Sequence, residues 1–401
     1  MATPSAPSEN TDVILTISFN QDGKTISVGH HNGYMFYKTP ELLENTSLMY
    51  EGETSSNPHL RELVVVERLY SSSLIVMVSQ IEPRVMRVYH YATRNYICDH
   101  RFNKSVLNVK LNRERIVVCT EDCIYIYNLK DMKSMHSIQD TPLNQLGIID
   151  LSLANSNIFL AYPGSAETGS VHIFDPINLS SVNTFVAHDG PLAAIKFNSD
   201  GTKLATASTK GTVIRVYGVP HGERLFEFRR GMSRYVSIHS LAFSPDSNYL
   251  CSSSNTETVH VFKLEKTEEH QTEAAPEPSS WFGMFNKKVN DYMPSQVTEL
   301  ITTERSFATA KLPGVTKRNL VTVLSHKQQN YVVVATSEGF VYCYRLDPAG
   351  GELDLVKQHK IGPGAEGTMR GPASSVGNSD SDMAPNVDDP DDFPPMTHSS
   401  G

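Results

Sequence analysis

The sequence predicts an all-β fold, a seven-bladed β-propeller with a long insertion in the sixth blade and a disordered C-terminal tail. Three observations support this prediction. One strand pattern recurs seven times, its copies are spaced like propeller blades, and helical periodicity is almost absent outside the insertion. Repeats of about 40–45 residues with four short strands each are typical of propeller blades, whereas an α-solenoid needs apolar residues three and four positions apart.

Each copy consists of an apolar strand, a polar turn, a strand of small residues, and a Gly-led strand that ends in an aromatic residue. The pattern is clearest in segments 17–37, 195–217 and 241–262. The weaker copies are 65–89, 109–127, 151–174 and 321–344. The closing aromatic residues are Phe36, Tyr89, Tyr127, Phe174, Tyr217, Phe262 and Tyr344.

The spacing of these aromatic residues divides the chain. The intervals are 53, 38, 47, 43, 45 and 82 residues, so the last one holds about 40 inserted residues. The predicted units are a disordered N-terminus (1–11), the propeller (12–362), an insertion in blade six (265–305) and a disordered acidic tail (363–401). The Trp-Asp dipeptide of ordinary WD repeats is absent, which makes the repeat a divergent one.

Composition indicates the cellular compartment of the protein. No apolar run of the 401 residues reaches 18, the length that a transmembrane helix needs. The polar N-terminus has no apolar segment typical of a secretory signal. Five scattered cysteines fit reduced thiols in a cytosolic protein. We therefore expect a cytoplasmic protein.

The negative charge is concentrated at one end. The formal charge is −9, and segment 363–401 alone carries −6. The remaining chain has a charge of only −3 and can carry local basic patches. Acidity of the whole chain therefore does not exclude an anionic ligand.

The insertion has two parts. Its first part is polar and contains proline, which predicts a disordered arm. In the second part, 279–293, aromatic and aliphatic residues recur at helical spacing with Lys287 and Lys288 between them. This pattern predicts an amphipathic helix that enters a membrane through Trp281, Phe282 and Phe285. The alternative is a helix that covers an exposed sheet edge.

The segment LFEFRRG (225–231) is the most informative one for function. Neighbouring side chains of a strand point to opposite faces, so Arg229 and Arg230 cannot serve one pocket. Arginine offers donors in a rigid fork that suits phosphate oxygens. The pair therefore predicts two phosphate sites, one on each side of the strand; the alternative is a solvated Arg pair.

The neighbouring repeats favour the phosphate hypothesis. Segment 208–215 and segment 252–260 both carry small hydroxyl residues together with one further cation or imidazole. Hydroxyl groups and an unhindered glycine backbone let a phosphate approach closely, while the cation supplies charge. Two shallow sites on one surface gain strength by avidity.

These segments resemble the PROPPIN family, seven-bladed propellers that bind phosphoinositides and include the WIPI proteins and yeast autophagy-related relatives. FRRG (228–231) resembles the motif that defines the family, and 207–216 and 253–265 resemble its flanking blade segments. Further similar segments are YPGS (162–165), AHDGPLAA (187–194) and ATSEGFVYCYRLDP (335–348). The resemblance covers nearly all of residues 12–360.

The resemblance implies two lipid-headgroup sites. Site one consists of His188, Thr206, Ser208, Gly211, Thr212, Arg215 and Arg229. Site two consists of Arg230, Gly231, Ser254, Thr258 and His260. The implied ligands are phosphatidylinositol 3-phosphate and phosphatidylinositol 3,5-bisphosphate. The implied role is recruitment of autophagy machinery, with the protein peripheral on phagophore or preautophagosomal and endosomal membranes, and the insertion resembles the membrane-inserting loop of the family.

Segment 110–115, near a strand end of the third repeat, is rich in charge. A solvated turn is one interpretation. The segment also resembles the WIPI branch, in which this groove engages an autophagy conjugation-factor subunit, so Arg113 is a candidate partner contact. The other expected partners are lipid-transfer factors; we expect no cofactor, no nucleic-acid ligand and a monomer in solution.

Signals of an enzyme are absent from the sequence. There is no HExxH, GxSxG, Walker A or GxGxxG motif. Cys119 and Cys123 form a CxxxC without a second pair, which favours core positions over a metal site. Two functions therefore compete: a phosphoinositide effector, and a WD-type protein-interaction scaffold without a lipid ligand.

Overall fold

The computed structural model describes residues 13–45, 48–54, 57–231, 235–265 and 306–370. These residues form seven sheets, and each sheet contains four strands that are antiparallel neighbours. The sheets follow one another along the chain as the blades of a β-propeller. The predicted fold class and the predicted number of blades are confirmed.

Blades 1 to 3 are built from consecutive strands. They are β1 (Ile14–Phe19), β2 (Thr25–His30), β3 (Gly33–Lys38) and β4 (Met49–Thr54) in blade 1; β5 (Leu63–Arg68), β6 (Leu74–Ser79), β7 (Val85–His90) and β8 (Asn95–Arg101) in blade 2; and β9 (Asn108–Leu111), β10 (Arg115–Cys119), β11 (Ile124–Asn128) and β12 (Ser134–Ile138) in blade 3. A short helix, α1 (Thr39–Glu44), and a 3-10 turn (Pro58–Leu60) flank β4.

Blades 4 to 7 have the same plan. They are β13 (Asp150–Leu151), β14 (Leu160–Pro163), β15 (Gly169–Asp175) and β16 (Ser180–His188) in blade 4; β17 (Leu192–Phe197), β18 (Lys203–Ser208), β19 (Val213–Gly218) and β20 (Arg224–Arg229) in blade 5; β21 (Ile238–Phe243), β22 (Tyr249–Ser254), β23 (Thr258–Lys263) and β24 (Ala308–Lys311) in blade 6; and β25 (Asn319–His326), β26 (Gln329–Thr336), β27 (Phe340–Arg345) and β29 (Asp354–Lys360) in blade 7. Two short strands, β28 (Gly351–Glu352) and β30 (Thr368–Arg370), add in parallel to the outer edges of blades 6 and 1.

The closing aromatic residues of the repeats lie on the third strand of every blade, and each is at most 6% exposed. The core is divided into clusters between blades. One cluster joins Phe228 of blade 5 to Phe262 of blade 6, whose ring centroids are 4.8 Å apart. Another joins Val28 of blade 1 to Val333 of blade 7. Because this cluster joins the first blade to the last, apolar packing closes the ring.

The polar turns of the repeats have a clear local cause. In blade 5, the side-chain carbonyl of Asn198 accepts from the backbone N–H of Lys203 at 2.8 Å. Gly201 takes φ +70° in the same turn, a left-handed conformation that glycine adopts at low cost. The Asn-x-Asp-Gly pattern therefore predicted the hairpins through backbone chemistry.

The predicted N-terminal segment 1–11, nearly all of the insertion 265–305 and most of the tail 363–401 lie outside the described residues. Strand β30 is a difference from the sequence expectation, because it lies inside the segment assigned to the tail. Its backbone pairs with the outer edge of β4, from Thr368 opposite Met49 to Arg370 opposite Glu51. Composition could not predict this strand, since an open sheet edge recruits backbone rather than particular side chains.

Candidate functional site

The middle strands of blade 5 place three polar residues in one row. Thr206 of β18 lies opposite Arg215 of β19, and Arg215 lies opposite Glu227 of β20. Residues in register on neighbouring strands share a face of the sheet. Arg215 donates from Nη1 to the carbonyl oxygen of Ala187 at 2.7 Å, so this face packs against blade 4.

His188 supplies the imidazole of this face from the end of β16. Its Nε2 lies 2.9 Å from Thr206 Oγ1. Burial, followed by the positive charge of Arg215, lowers the pKa of His188 to about 4. The imidazole is therefore neutral at pH 7. Thr206 has no exposed surface, so its hydroxyl holds the imidazole in place rather than meeting a ligand directly.

Arg215 is held by an internal carboxylate. Its Nε donates to Glu227 Oε2 at 2.7 Å, and Arg224 Nη1 donates to the same oxygen at 2.8 Å. Arginine is planar and always charged, so the bond from Nε to Glu227 and the bond from Nη1 to the carbonyl of Ala187 together fix the direction of the Arg215 guanidinium. Arg215 is thus oriented before any ligand arrives.

Arg229 lies one step further along this face. It pairs with Val213, two residues before Arg215, so its side chain shares the face that packs against blade 4. Its Nε is buried and has no hydrogen-bond partner among the described residues. An unsatisfied buried donor is costly, so this N–H is a candidate donor to an acceptor that approaches from the side of blade 4.

Ser208 ends β18, and the turn that follows it carries Gly211 and Thr212. The carbonyl of Ser208 accepts from the N–H of Gly211, and the carbonyl of Thr212 accepts from the N–H of Arg230. Gly211 takes φ +63°, and a Cβ there would lie 2.1 Å from the carbonyl oxygen of Val236. The sequence predicted that a glycine here lets a phosphate approach the backbone. The structure gives a packing reason for the glycine, because blade 6 leaves no room for a side chain.

Arg230 lies on the opposite side of the strand and faces blade 6. Its Nη2 donates to Ser254 Oγ at 2.9 Å and to Thr256 Oγ1 at 2.7 Å. The two hydroxyl groups are themselves 2.9 Å apart. The two arginines therefore lie at different blade junctions, as strand alternation predicted.

His260 lies in the middle of β23. Burial, followed by the charge of Arg230, lowers its pKa to about 4, and its Nδ1 is buried without a partner among the described residues. Thr258 begins the same strand and lies opposite Lys311. Gly231 is half-buried, and a Cβ there would meet no atom of the described residues within 4 Å. The space around Gly231 in site two is therefore more open than the space around Gly211 in site one.

The two sites are built on equivalent rows of their blades. The blade 5 row of Thr206, Arg215 and Glu227 corresponds to a blade 6 row of Ser252, His260 and Thr309. The next step along each blade holds Arg229 in blade 5 and Lys311 in blade 6.

The sequence prediction named neither Glu227 nor Lys311, and it included Thr256 only among the hydroxyl residues of segment 252–260. Glu227 holds Arg215, Thr256 holds Arg230, and Lys311 takes the position in blade 6 that Arg229 takes in blade 5. The signal for Glu227 was in the sequence, because it lies two residues before Arg229 and so on the same face. Lys311 could not be found in this way, since the insertion separates it from the third strand of its blade.

The PROPPIN family model matches residues 13–362. The chain belongs to the PROPPIN family. Among curated PROPPIN relatives, Autophagy-related protein 18 of Caenorhabditis elegans is 62% identical over 98% of both chains. WD repeat domain phosphoinositide-interacting protein 2 of Mus musculus is 45% identical, and the match covers 88% of this chain and 79% of the relative.

Solved structures show the same fold. Kluyveromyces lactis Hsv2 matches with a TM-score of 0.66 and 20% identity, over 87% of this PROPPIN and 99% of that chain. A complex of KlAtg21 with the coiled coil of AgAtg16 matches with a TM-score of 0.68 and 22% identity, over the same shares of the two chains. At 20% and 22% identity, these matches show that the propeller fold is shared.

Arg113, the candidate partner contact of this PROPPIN, lies in the turn between β9 and β10. Its guanidinium carbon lies 4.6 Å from the ring centroid of Tyr70 in blade 2. Contacts of this kind are favourable because the face of the ring is negative. The half-buried Arg113 is therefore positioned at the junction of blades 2 and 3.

The membrane-inserting residues predicted for this PROPPIN, Trp281, Phe282 and Phe285, lie outside the described residues. Only the base of the insertion is described. Val261 of β23 pairs with Ala308 of β24, so the chain leaves and rejoins blade 6 on neighbouring strands. The insertion is thus the connection between the third and fourth strands of that blade.

Cys119 and Cys123 of this PROPPIN are buried free thiols. Burial raises the pKa of Cys119 to about 12, which makes its thiolate scarce at pH 7. In the part of the chain that the structure describes, no three His, Cys, Asp or Glu side chains are grouped so that they could hold a metal ion. No helix within the described ranges has the length and apolarity to cross a bilayer.

Proposed function

We propose that this PROPPIN is a phosphoinositide effector of autophagy that acts without catalysing a reaction. It binds phosphatidylinositol 3-phosphate and phosphatidylinositol 3,5-bisphosphate at site one and site two, and it recruits autophagy machinery to phagophore and endosomal membranes. The protein is a cytoplasmic monomer in solution and becomes peripheral on the membrane. The names of its relatives, an autophagy-related protein and phosphoinositide-interacting proteins, support this role.

The placement of Arg229 and Arg230 is the observation that carries the proposal. One guanidinium serves the junction of blades 4 and 5, and the other serves the junction of blades 5 and 6. The buried Nε of Arg229 lacks a hydrogen-bond partner among the described residues, as expected of a donor that meets a ligand. Each charge-assisted bond to phosphate contributes about 1.5–3 kcal/mol.

Two sites on one rim also explain reversible attachment. Each site binds weakly alone, but both engage lipids of the same bilayer, so the second binding event is intramolecular. Loss of either arginine should therefore weaken vesicle binding strongly, and loss of both should abolish it.

Vesicle co-sedimentation tests the proposal. We expect Arg229→Ala/Arg230→Ala to lose binding to vesicles with either phosphorylated inositide, and each single variant to lose about tenfold or more. Arg101→Ala is the matched control, because Arg101 pairs with Val85 in blade 2 as Arg229 pairs with Val213 in blade 5. Unchanged binding of the double variant would overturn the lipid function and favour a WD-type scaffold.

The insertion adds a second anchor in this proposal. Its aromatic residues enter the headgroup boundary, where Trp and Phe side chains are favourable. Replacing Trp281, Phe282 and Phe285 with Ser should weaken vesicle binding while a soluble inositol phosphate still binds the propeller. Equal loss of both would assign the segment a structural role.

The membrane-bound propeller presents other blades to protein partners. We propose that Arg113 contacts an autophagy conjugation factor and that lipid-transfer factors bind the same membrane-bound form. The solved complex of KlAtg21 with the coiled coil of AgAtg16 supports a coiled coil as the chemical form of the first partner. An arginine held on an aromatic ring is a suitable contact for acidic residues of such a coil.

A further inference from the structure

Site one contains a negative charge of its own. Glu227 Oε2 accepts from Arg215 Nε at 2.7 Å and from Arg224 Nη1 at 2.8 Å. The side chains of Arg215 and Glu227 are 24% and 25% exposed, so an anion can approach the same guanidinium from outside. An anion that enters site one therefore competes with this carboxylate for Arg215.

Site two contains no acid at the equivalent position. The residue opposite His260 is Thr309, where blade 5 places Glu227 opposite Arg215. In blade 2 the corresponding arginine, Arg87, pairs with two carboxylates. Asp99 lies opposite it in the sheet, and Glu82 also forms an ion pair with it. Glu352 lies beyond Thr309 in the blade 6 row, but it pairs with Lys311. Among the described residues, the number of carboxylates that pair with the central side chain therefore rises from none for His260 to one for Arg215 and two for Arg87.

The charge of the ligand decides the competition. Around site one, Arg215, Arg224 and Arg229 are positive, Glu227 is negative, exposed Asp189 is nearby, and His188 is neutral at pH 7. A lipid phosphodiester carries one negative charge. It therefore only replaces the single negative charge that Glu227 already places beside Arg215. A phosphomonoester brings about −1.5 to −2 at pH 7, so it gains attraction beyond that of the internal carboxylate.

We propose that Glu227 is a specificity-determining residue of site one: it occupies Arg215 against singly charged lipids and yields to the phosphomonoester of a phosphorylated inositide. This inference rests on the proposed function. The carboxylate also positions Arg215, so its removal has to be separated from simple loosening of the site.

Glu227→Gln in an Arg230→Ala background tests the inference, because only site one then contributes to vesicle binding. Binding to phosphatidylserine vesicles should rise about fivefold, the effect of roughly 1 kcal/mol between unit charges 4 Å apart in water. Binding to phosphatidylinositol 3-phosphate vesicles should change less, so that selectivity falls. Glu227→Asp should keep the selectivity of the background protein.

Other outcomes overturn the inference. If selectivity is unchanged in Glu227→Gln, or if phosphoinositide binding falls with no gain on phosphatidylserine, the carboxylate is only a positioning group. The converse variant, Thr309→Glu in an Arg229→Ala background, should lower phosphatidylserine binding at site two, and no change would count against the inference. If neither background protein binds phosphatidylinositol 3-phosphate, the proposed function itself fails.

Discussion

Arg230 donates to Ser254 over 2.9 Å, and this hydrogen bond crosses from the end of blade 5 to the second strand of blade 6. The same nitrogen also donates to Thr256. A flexible side chain at a strand end is thereby fixed between two blades. The fork of Arg230 is pre-oriented, which reduces the entropy that a ligand must remove on binding.

Ser254→Ala should therefore weaken site two without removing its charge. We expect a loss of about 1 kcal/mol, or fivefold in affinity, for a soluble inositol phosphate, because Arg230 loses one of its two hydroxyl supports. Titration calorimetry in an Arg229→Ala background measures site two alone. Ser253→Ala is the control: its hydroxyl bonds to Asn319 of blade 7, so headgroup affinity should stay unchanged.

Gly211→Ala should destabilise the propeller. The substitution puts a Cβ on a residue with φ +63° and 2.1 Å from the Val236 carbonyl oxygen, so we expect a loss of about 1–3 kcal/mol in the free energy of unfolding. Urea denaturation measures it. Gly231→Ala is the matched comparison, because no atom of the described residues lies within 4 Å of a Cβ at that position; a similar loss there would contradict the packing explanation.

The stability of the protein should depend on pH through three buried histidines. Burial is the main cause that lowers the pKa of His30, His188 and His260 to about 4, from 6.5 in an unfolded chain. The unfolded chain takes up protons first, so stability is full above pH 6.5 and is lost as the pH falls toward 4. Each histidine contributes at most about 3 kcal/mol to this loss.

Thermal unfolding at pH 7, 6 and 5 checks this prediction. Replacing His30 or His188 with Gln should lower the melting temperature at pH 7 but reduce its fall between pH 7 and 5. The exposed His221 is the control, since its replacement with Gln should leave the slope as it is. An unchanged slope in the His30 and His188 variants would contradict the assignment.

Arg113→Ala should weaken the binding of an Atg16-type coiled coil by about tenfold, because buried arginines at interfaces often dominate binding. The coiled coil of AgAtg16 is the first probe for a pull-down or interferometry assay. Vesicle binding should be unaffected, since Arg113 lies in blade 3 and the proposed lipid sites lie at blades 4 to 6. The exposed Lys130 of the same blade provides the control variant Lys130→Ala; equal loss in both variants would argue against a specific contact.

Much of the fold was predictable because its signals are local. Gly201 and the turn around Asn198 mark a hairpin through backbone geometry, and the closing aromatic residues mark third strands. Alternation of side chains at the end of β20 predicted opposite directions for Arg229 and for Arg230, the residue that follows the strand, since that depends only on neighbouring residues. The contacts of Arg215 with Ala187 and of His188 with Thr206 were not predictable, because they join different blades.

The sequence by itself determined seven repeats, their order, and an arginine pair directed to two faces of one strand, because each follows from periodicity within a few residues. The tertiary structure alone decided what meets each arginine. It placed the carbonyl of Ala187 against Arg215, Ser254 against Arg230, and the backbone of Val236 against Gly211. The packing of whole blades sets these distances, and no local pattern encodes how two sheets meet.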